Sequence, residues 1–275
     1  MPKSKLLQAP TRIAARFAEL KTRGQKGFIA YVTGGDPSLA ATEDIILRLE
    51  DAGVDVVELG VPFSDPLADG PVIQEAAGRA LAAGATWSRL MAMVARLRRR
   101  SEVPLLLFSY LNPLLVRGFD RTARDAAAAG ADGFLILDLP VEEAAKNFQT
   151  LDRLNLDHIG LVTPTSPTER IKRIVAASSG FVYCVSREGV TGMQQQLAPG
   201  AVKLVQATQR LTKLPVALGF GIATPAHAAA AAEDADAVVV GSAIVDRFHK
   251  AAHTPAGRAA ATRWVEDLVK AVKAV

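Results

Sequence analysis

The run Val54-Asp55-Val56-Val57-Glu58-Leu59-Gly60 is apolar at most positions and follows a helical pattern over Leu39–Ala52. A strand with one wet face would alternate polar and apolar residues. A near-continuous apolar strand is buried on both faces, as in a parallel sheet. Seven further runs read the same way: Gly27–Thr33, Val103–Ser109, Asp132–Leu137, His158–Thr163, Gly180–Val185, Leu214–Gly219 and Asp236–Val240. Each is bounded by Gly, Pro or Asp, and helical stretches such as Arg121–Ala129, Val141–Leu154, Pro167–Ala177 and Ala201–Leu211 lie between them. The last helical segment is Pro255–Val275.

Eight strand–helix units in 275 residues predict an α/β protein of the (β/α)8 TIM-barrel type. It carries an extra N-terminal helix, where Ile13, Phe17 and Leu20 recur at helical spacing, and an added helix after strand two. An open doubly wound sheet fits less well, because it has fewer strands and a Gly-rich first turn that is absent here. No linker or shift in composition divides the chain, so a single domain over residues 1–275 is expected. The long connections Val61–Ser101 and Ser186–Pro199 fall after strands, where barrels place their active sites.

Composition narrows the function classes. With 49% apolar residues and a formal charge of +4, the chain is neither disordered nor strongly basic. The densest basic run, Arg96 to Arg100, closes a helical pattern that begins near Thr86, where the macrodipole favours cations, and few aromatics accompany it. Nucleic acid is therefore not an expected partner. The single cysteine, Cys184, suits a reducing compartment, and the N-terminus lacks the apolar core of a signal peptide, so a cytoplasmic protein is expected. The longest uncharged run, Leu214–Ala232, is interrupted by Pro215, Gly219, Gly221 and Pro225, so no membrane segment is expected. The four histidines are dispersed without metal-ligand spacing, and no metal site is expected.

Glu58 shares a strand face with Val56 and Gly60. If that face points into the barrel, desolvation raises the pKa of the carboxyl toward neutrality, which suits a general acid or base. The competing reading, a buried glutamate paired with Arg or Lys, is disfavoured because the apolar cores of the strands contain neither. The loop Pro62-Phe63-Ser64-Asp65-Pro66-Leu67-Ala68-Asp69-Gly70-Pro71 brings two carboxylates four residues apart. Asp65 and Asp69 read either as turn and cap residues or, for Asp69, as a second carboxylate across a substrate. Glycine turns at Gly219-Phe220-Gly221 and Gly241-Ser242 follow strands seven and eight, each expected to open a helix, and read as the usual phosphate seat of barrels or as plain tight strand-to-helix turns. The stretch Ser186–Gly192 and the polar run after it read as a lid or as an ordinary loop.

Together these motifs resemble the tryptophan synthase alpha subunit family. The run Glu58–Pro71 is the most specific match, supported by Gly34-Gly35-Asp36-Pro37, Tyr110-Leu111-Asn112-Pro113, Asp138-Leu139-Pro140, Pro164-Thr165-Ser166 and Gly189-Val190-Thr191-Gly192. Gly219–Ile222 and Gly241–Val245 complete the set, and the resemblance spans Gly27 to Val245 in order. It implies a lyase that cleaves indole-3-glycerol phosphate to indole and glyceraldehyde 3-phosphate in tryptophan biosynthesis. It assigns Glu58 as general acid/base, Asp69 as acceptor of the indole N–H, Tyr183 to the active site, and Gly192, Phe220, Gly221, Gly241 and Ser242 to the phosphate. Thr191 would link lid closure to Asp69. No cofactor is implied in this chain; pyridoxal phosphate belongs to a beta-subunit partner, in an alpha2-beta2 hetero-tetramer, with loops two and six near the contact. Tyr31 departs from members with Phe at that substrate-facing position. The rival readings are another phosphosugar barrel isomerase and a non-catalytic regulatory subunit.

Overall fold

The computed structural model describes residues 9–185, 199–219, 221–252 and 254–275. The chain runs through α1 (Arg12–Thr22), β1 (Gly27–Thr33), α2 (Leu39–Asp51) and β2 (Val56–Gly60), then α3 (Pro71–Ala82) and α4 (Trp87–Leu97) before β3 (Leu105–Ser109). Helices α5 (Leu111–Val116) and α6 (Phe119–Ala129) lead to β4 (Gly133–Ile136), α7 (Ala145–Arg153), β5 (Asp157–His158), β6 (Gly160–Val162) and α8 (Thr168–Ala177). Then come β7 (Val182–Val185), α9 (Pro199–Gln209), β8 (Val216–Gly219), α10 (Pro225–Asp234), β9 (Ala237–Val240), α11 (Ser242–Ala251) and α12 (Pro255–Lys273).

Local chemistry sets the helix starts. The side chains of Thr11, Ser38, Thr86, Thr224 and Thr254 each accept a backbone N–H of the first turn of their helix. Proline opens α3, α10 and α12, where its missing N–H costs nothing.

All pairings are parallel, in the order β5-β4-β3-β2-β1-β9-β8-β7-β6. Strands β5 and β6 are separated only by Ile159, so the sheet closes on itself and the expected barrel forms. The run expected as one strand, His158–Thr163, is two short pieces because the chain changes partner: β5 pairs with β4, and β6 with β7. The pattern over Val141–Leu154 yields a helix only from Ala145, since Val141–Glu143 form a turn after Pro140. The added segment after strand two holds two helices, and α5 is a short one not expected.

Period-two alternation sorts the strand side chains into two clusters. Val57 and Leu59 face outward, with Leu105, Leu107, Phe134 and Ile136, against the surrounding helices. Ile29, Val56, Leu106, Leu135 and Val239 face inward. Ile13, Phe17 and Leu20 of α1 join that inner cluster, so the extra helix plugs one end of the barrel.

That end is a polar floor. Three aspartates that immediately precede strands each accept a backbone N–H from the neighbouring strand: Asp55 from Phe28 (2.6 Å), Asp132 from Leu105 (2.8 Å) and Asp236 from Val216 (2.8 Å). Cations from outside the sheet complete the first two. Arg16 and Lys273 approach Asp55 at 2.8 and 2.6 Å, and Arg98 and Arg12 approach Asp132 at 2.8 and 3.1 Å. Thr11 donates to Asp157. Arg98, part of the basic run read as a helix end, is thus structural and also donates to the carbonyls of Val103 and Gly130.

Removing a buried anion strands its partners. Asp55→Ala is therefore expected to cost about 3 kcal/mol, lowering the unfolding midpoint by roughly 6–12 °C in a thermal melt.

Candidate active site

Glu58 lies in β2, paired in register with Tyr31 of β1 and Leu106 of β3. It is 1% exposed and points into the barrel, as its alternation with Val57 and Leu59 requires. Its Oε1 has no hydrogen-bond partner among the described residues. Burial alone pushes this carboxyl up to about 8, because the apolar lumen disfavours the anion. Glu58 is consequently protonated at neutral pH.

Asp69 stands on the loop between β2 and α3, and it too is buried. The loop is shaped by local turns, with Asp69 N–H donating to Pro66 O (3.0 Å) and Gln74 Nε2 to Asp69 O (2.9 Å). Tyr110, just beyond β3, donates its hydroxyl to Asp69 Oδ2 at 3.0 Å and accepts Ala68 N–H at 2.9 Å. Burial raises the Asp69 carboxyl to about 6, and the Tyr110 hydrogen bond holds it from rising further. Asp65 is exposed and lacks this setting.

Two further tyrosines occupy space left by strand-end glycines. A Cβ on Gly60 would stand 2.1 Å from the Tyr31 hydroxyl, and one on Gly219 would stand 2.0 Å from the Tyr183 hydroxyl. Tyr31 also packs edge-on against Phe108, with ring centroids 5.1 Å apart. Burial raises both phenols well above their ordinary value, with the nearby charges of Asp69 and Glu58 adding to it. Both therefore remain hydroxyls, able to donate.

At the far side of the mouth, Gly221 has φ +42°, a conformation open to glycine without strain. The helix expected to start there begins instead at Pro225, capped by Thr224, so Gly221 lies in the connection ahead of it. Gly241 and Ser242 do open a helix directly, with Gly241 at the cap of α11 and within 3.6 Å of Tyr31 Cβ if it bore a Cβ. Thr191, Gly192 and Phe220 lie outside the described residues.

A family profile described as tryptophan synthase alpha chain matches residues 17–273. The chain belongs to the tryptophan synthase alpha chain family. It is 50% identical over 262 residues to the alpha chain of Geobacter sulfurreducens, covering 95% of this chain and 99% of that one. The alpha chain of Picosynechococcus is 45% identical over 264 residues, covering 95% and 99%. Among solved structures, the Legionella pneumophila alpha subunit superposes with a TM-score of 0.88 at 34% identity, covering 97% of this chain and 100% of that one. Tryptophan synthase of Mycobacterium tuberculosis gives 0.88 at 33%, covering 96% and 99%.

The reaction that goes with the family is cleavage of indole-3-glycerol phosphate to indole and glyceraldehyde 3-phosphate, in tryptophan biosynthesis. Alpha chains of this family carry no cofactor; pyridoxal phosphate belongs to the beta subunit, which is the partner. Among the described residues no three His, Cys, Asp or Glu side chains cluster to hold a metal ion, and no helix is long and apolar enough to cross a membrane. Cys184 is buried in the outer layer beside Thr208, and burial lifts its thiol to about 11, so it is inert.

Glu58 and Tyr183 point inward from within β2 and β7, while Asp69, Gly221, Gly241 and Ser242 lie beyond the C-terminal ends of β2, β8 and β9. Reading residue by residue misses Tyr110 as the partner of Asp69, although a tyrosine directly after a strand was the available signal.

Because the folded protein holds the Glu58 proton more tightly than the unfolded chain, stability falls as pH rises from about 4.5 to about 8. Glu58→Gln has no such proton to lose. Its melting temperature should be close to the parent's near pH 5 and exceed it by roughly 7–14 °C at pH 8, measured by calorimetry across that range.

Proposed function

We propose that Glu58 and Asp69 divide the chemistry of indole-3-glycerol phosphate cleavage. Glu58, protonated at neutral pH, delivers its proton to indole C3. The electron pair for the new C3–H bond comes from the ring, leaving positive charge on the indole nitrogen. Asp69, ionised above about 6, accepts the N–H hydrogen bond and stabilises that charge. The Glu58 carboxylate then takes the proton of the hydroxyl on the carbon attached to C3. The C3–C bond breaks, its electrons return to the ring, and the carbon becomes the aldehyde of glyceraldehyde 3-phosphate. Protons and electrons balance without an added reagent. The observation that carries this reading is a buried carboxyl with an unpartnered oxygen facing the barrel lumen, which a substrate proton acceptor would complete.

Tyr183, packed over Gly219, is assigned as a hydroxyl donor beside the scissile bond. Gly221, Gly241 and Ser242 are assigned to the phosphate, together with Gly192 and Phe220, and Thr191 to the coupling of closure with Asp69. Amide groups of the Gly241-Ser242 turn at the start of α11 suit a dianion.

The beta subunit would dock over the barrel mouth, where Leu67, Leu115 and Val116 are 84%, 50% and 78% exposed on the loop after β2 and on α5. We assign an alpha2-beta2 stoichiometry, a cytoplasmic location in keeping with the lone thiol, and one domain over 1–275, supported by β1 pairing with both β2 and β9.

The test is indole release from indole-3-glycerol phosphate, with and without a beta subunit, as a function of pH. The rate should be bell-shaped, with limbs near 6 for ionisation of Asp69 and near 8 for loss of the Glu58 proton. Glu58→Gln should lower kcat by about 10²–10⁴-fold with little change in KM. A mutant that retains full turnover would sink the assignment. Tyr110→Phe removes the bond that lowers the Asp69 pKa, so its acidic limb should move upward while the limb near 8 stays in place.

A further inference from the structure

The barrel wall has a seam. Strand β4 pairs with β5 only through Gly133–Asp157 and Phe134–His158, followed by one bond from Ile159 N–H to Phe134 O (2.9 Å). Beyond that point the chain enters β6, which pairs with β7 and not with β4. Strands β1, β2, β4, β8 and β9 are buried at every residue, whereas Gly160 and Leu161 of β6 are only half-buried. The side chains beside the gap therefore face space.

That space is a cavity of about 280 Å³ between β4, β6, α7 and α8. Its inner wall is Leu137, Ile159 and Leu161, which pack with the barrel interior. Its outer wall is Phe134, Ile136, Phe148 and Ile174, which belong to the layer between barrel and helices. Its rim carries hydroxyls: Thr163 Oγ1 lies 3.0 Å from both Thr165 Oγ1 and Ser166 Oγ. Arg170 at the rim already faces Glu142 at 3.6 Å. None of Glu58, Asp69, Tyr31 or Tyr183 lines it; Leu161, in register with Tyr183, is part of the wall it shares with the catalytic lumen.

We propose that this seam cavity binds a flat, uncharged heteroaromatic, and that its occupant is indole released by the chain itself. Apolar walls with hydroxyls and the Asp138 carboxylate as acceptors at one side suit a ring system bearing one N–H. The volume is at the small end for ligand pockets and is enough for a bicyclic ring. An anion gains little here, because the cation at the rim is already matched by a carboxylate. Leu137, Ile159 and Leu161 stand between the cavity and the interior in which indole is formed. The choice of indole rests on the family reaction; the cavity does not.

Two measurements test this. Crystals of the chain soaked with 5-bromoindole should show bromine anomalous density in the seam, between Phe148 and Leu161. Density only in the barrel lumen, or none at all, overturns the proposal. In solution, indole titrated against the chain by methyl NMR should shift Ile136 and Ile174 saturably. Val141→Trp, which fills the cavity from the loop before α7, should weaken that response by at least about tenfold while indole release stays within about twofold. An unchanged titration in a folded Val141→Trp overturns the proposal. If that variant does not fold, the bromine soak of the unaltered chain decides by itself. A chain that releases indole but leaves the seam empty refutes the seam site and leaves the lyase reading intact.

Discussion

An unpaired carboxyl in an apolar lumen is the constraint around which this barrel is organised. Water would solvate the anion of Glu58, and the lumen does not, so the proton stays. Such a group opposes folding at any pH where it ionises. The remainder of the structure has to supply stability from places that do not touch the reacting centre, and it does so at the opposite end. There the charges are matched: Asp55 and Asp132 each accept a strand N–H and each meet two cations. At the mouth Glu58 and Asp69 have no cationic partner among the described residues, and a substrate is what completes them. One end of the barrel is electrostatically finished and the other is left open.

The two carboxyls differ because their surroundings differ. Glu58 Oε1 has no hydrogen-bond partner among the described residues and burial sets its proton affinity; Asp69 is buried but held by Tyr110. Around neutral pH one is a proton donor and the other an anion, so acid and base roles are separated by environment and not by residue type. The glycines at Gly60 and Gly219 belong to the same arrangement. By withholding a side chain at two strand ends, they let two tyrosine rings close the space over the lumen.

Much of this is legible in the chain itself, because it follows from local periodicity. Apolar runs without alternation place parallel strands, and period two puts Glu58 on the face of Val56 and Gly60. The absence of Arg or Lys inside the strand cores already argues that this glutamate has no internal counter-ion. The recurrence of Ile13, Phe17 and Leu20 marks the plug helix, whose buried residues are these three. What local pattern does not carry is contact between distant residues. Tyr110 meets Asp69 across 41 positions, and Arg98 in a basic run turns inward to Asp132 across 34. Strand five reads as one apolar run, and its division depends on which neighbour each half pairs with. Helix starts are governed by caps, so Thr224 and not the glycine turn at Gly221 sets the start of α10.

The aspartate floor also fixes where the chain's outermost helices lie. Arg16 of α1 and Lys273 of α12 grip the same carboxylate, Asp55, at the end of the barrel opposite the catalytic mouth. The two extremities of the fold are thus neighbours in space, on the side remote from substrate and from the apolar patch at Leu67 and Val116. A circular permutant that joins α12 to α1 through a short linker, or a fluorescent protein fused beyond either helix, leaves the mouth sterically untouched.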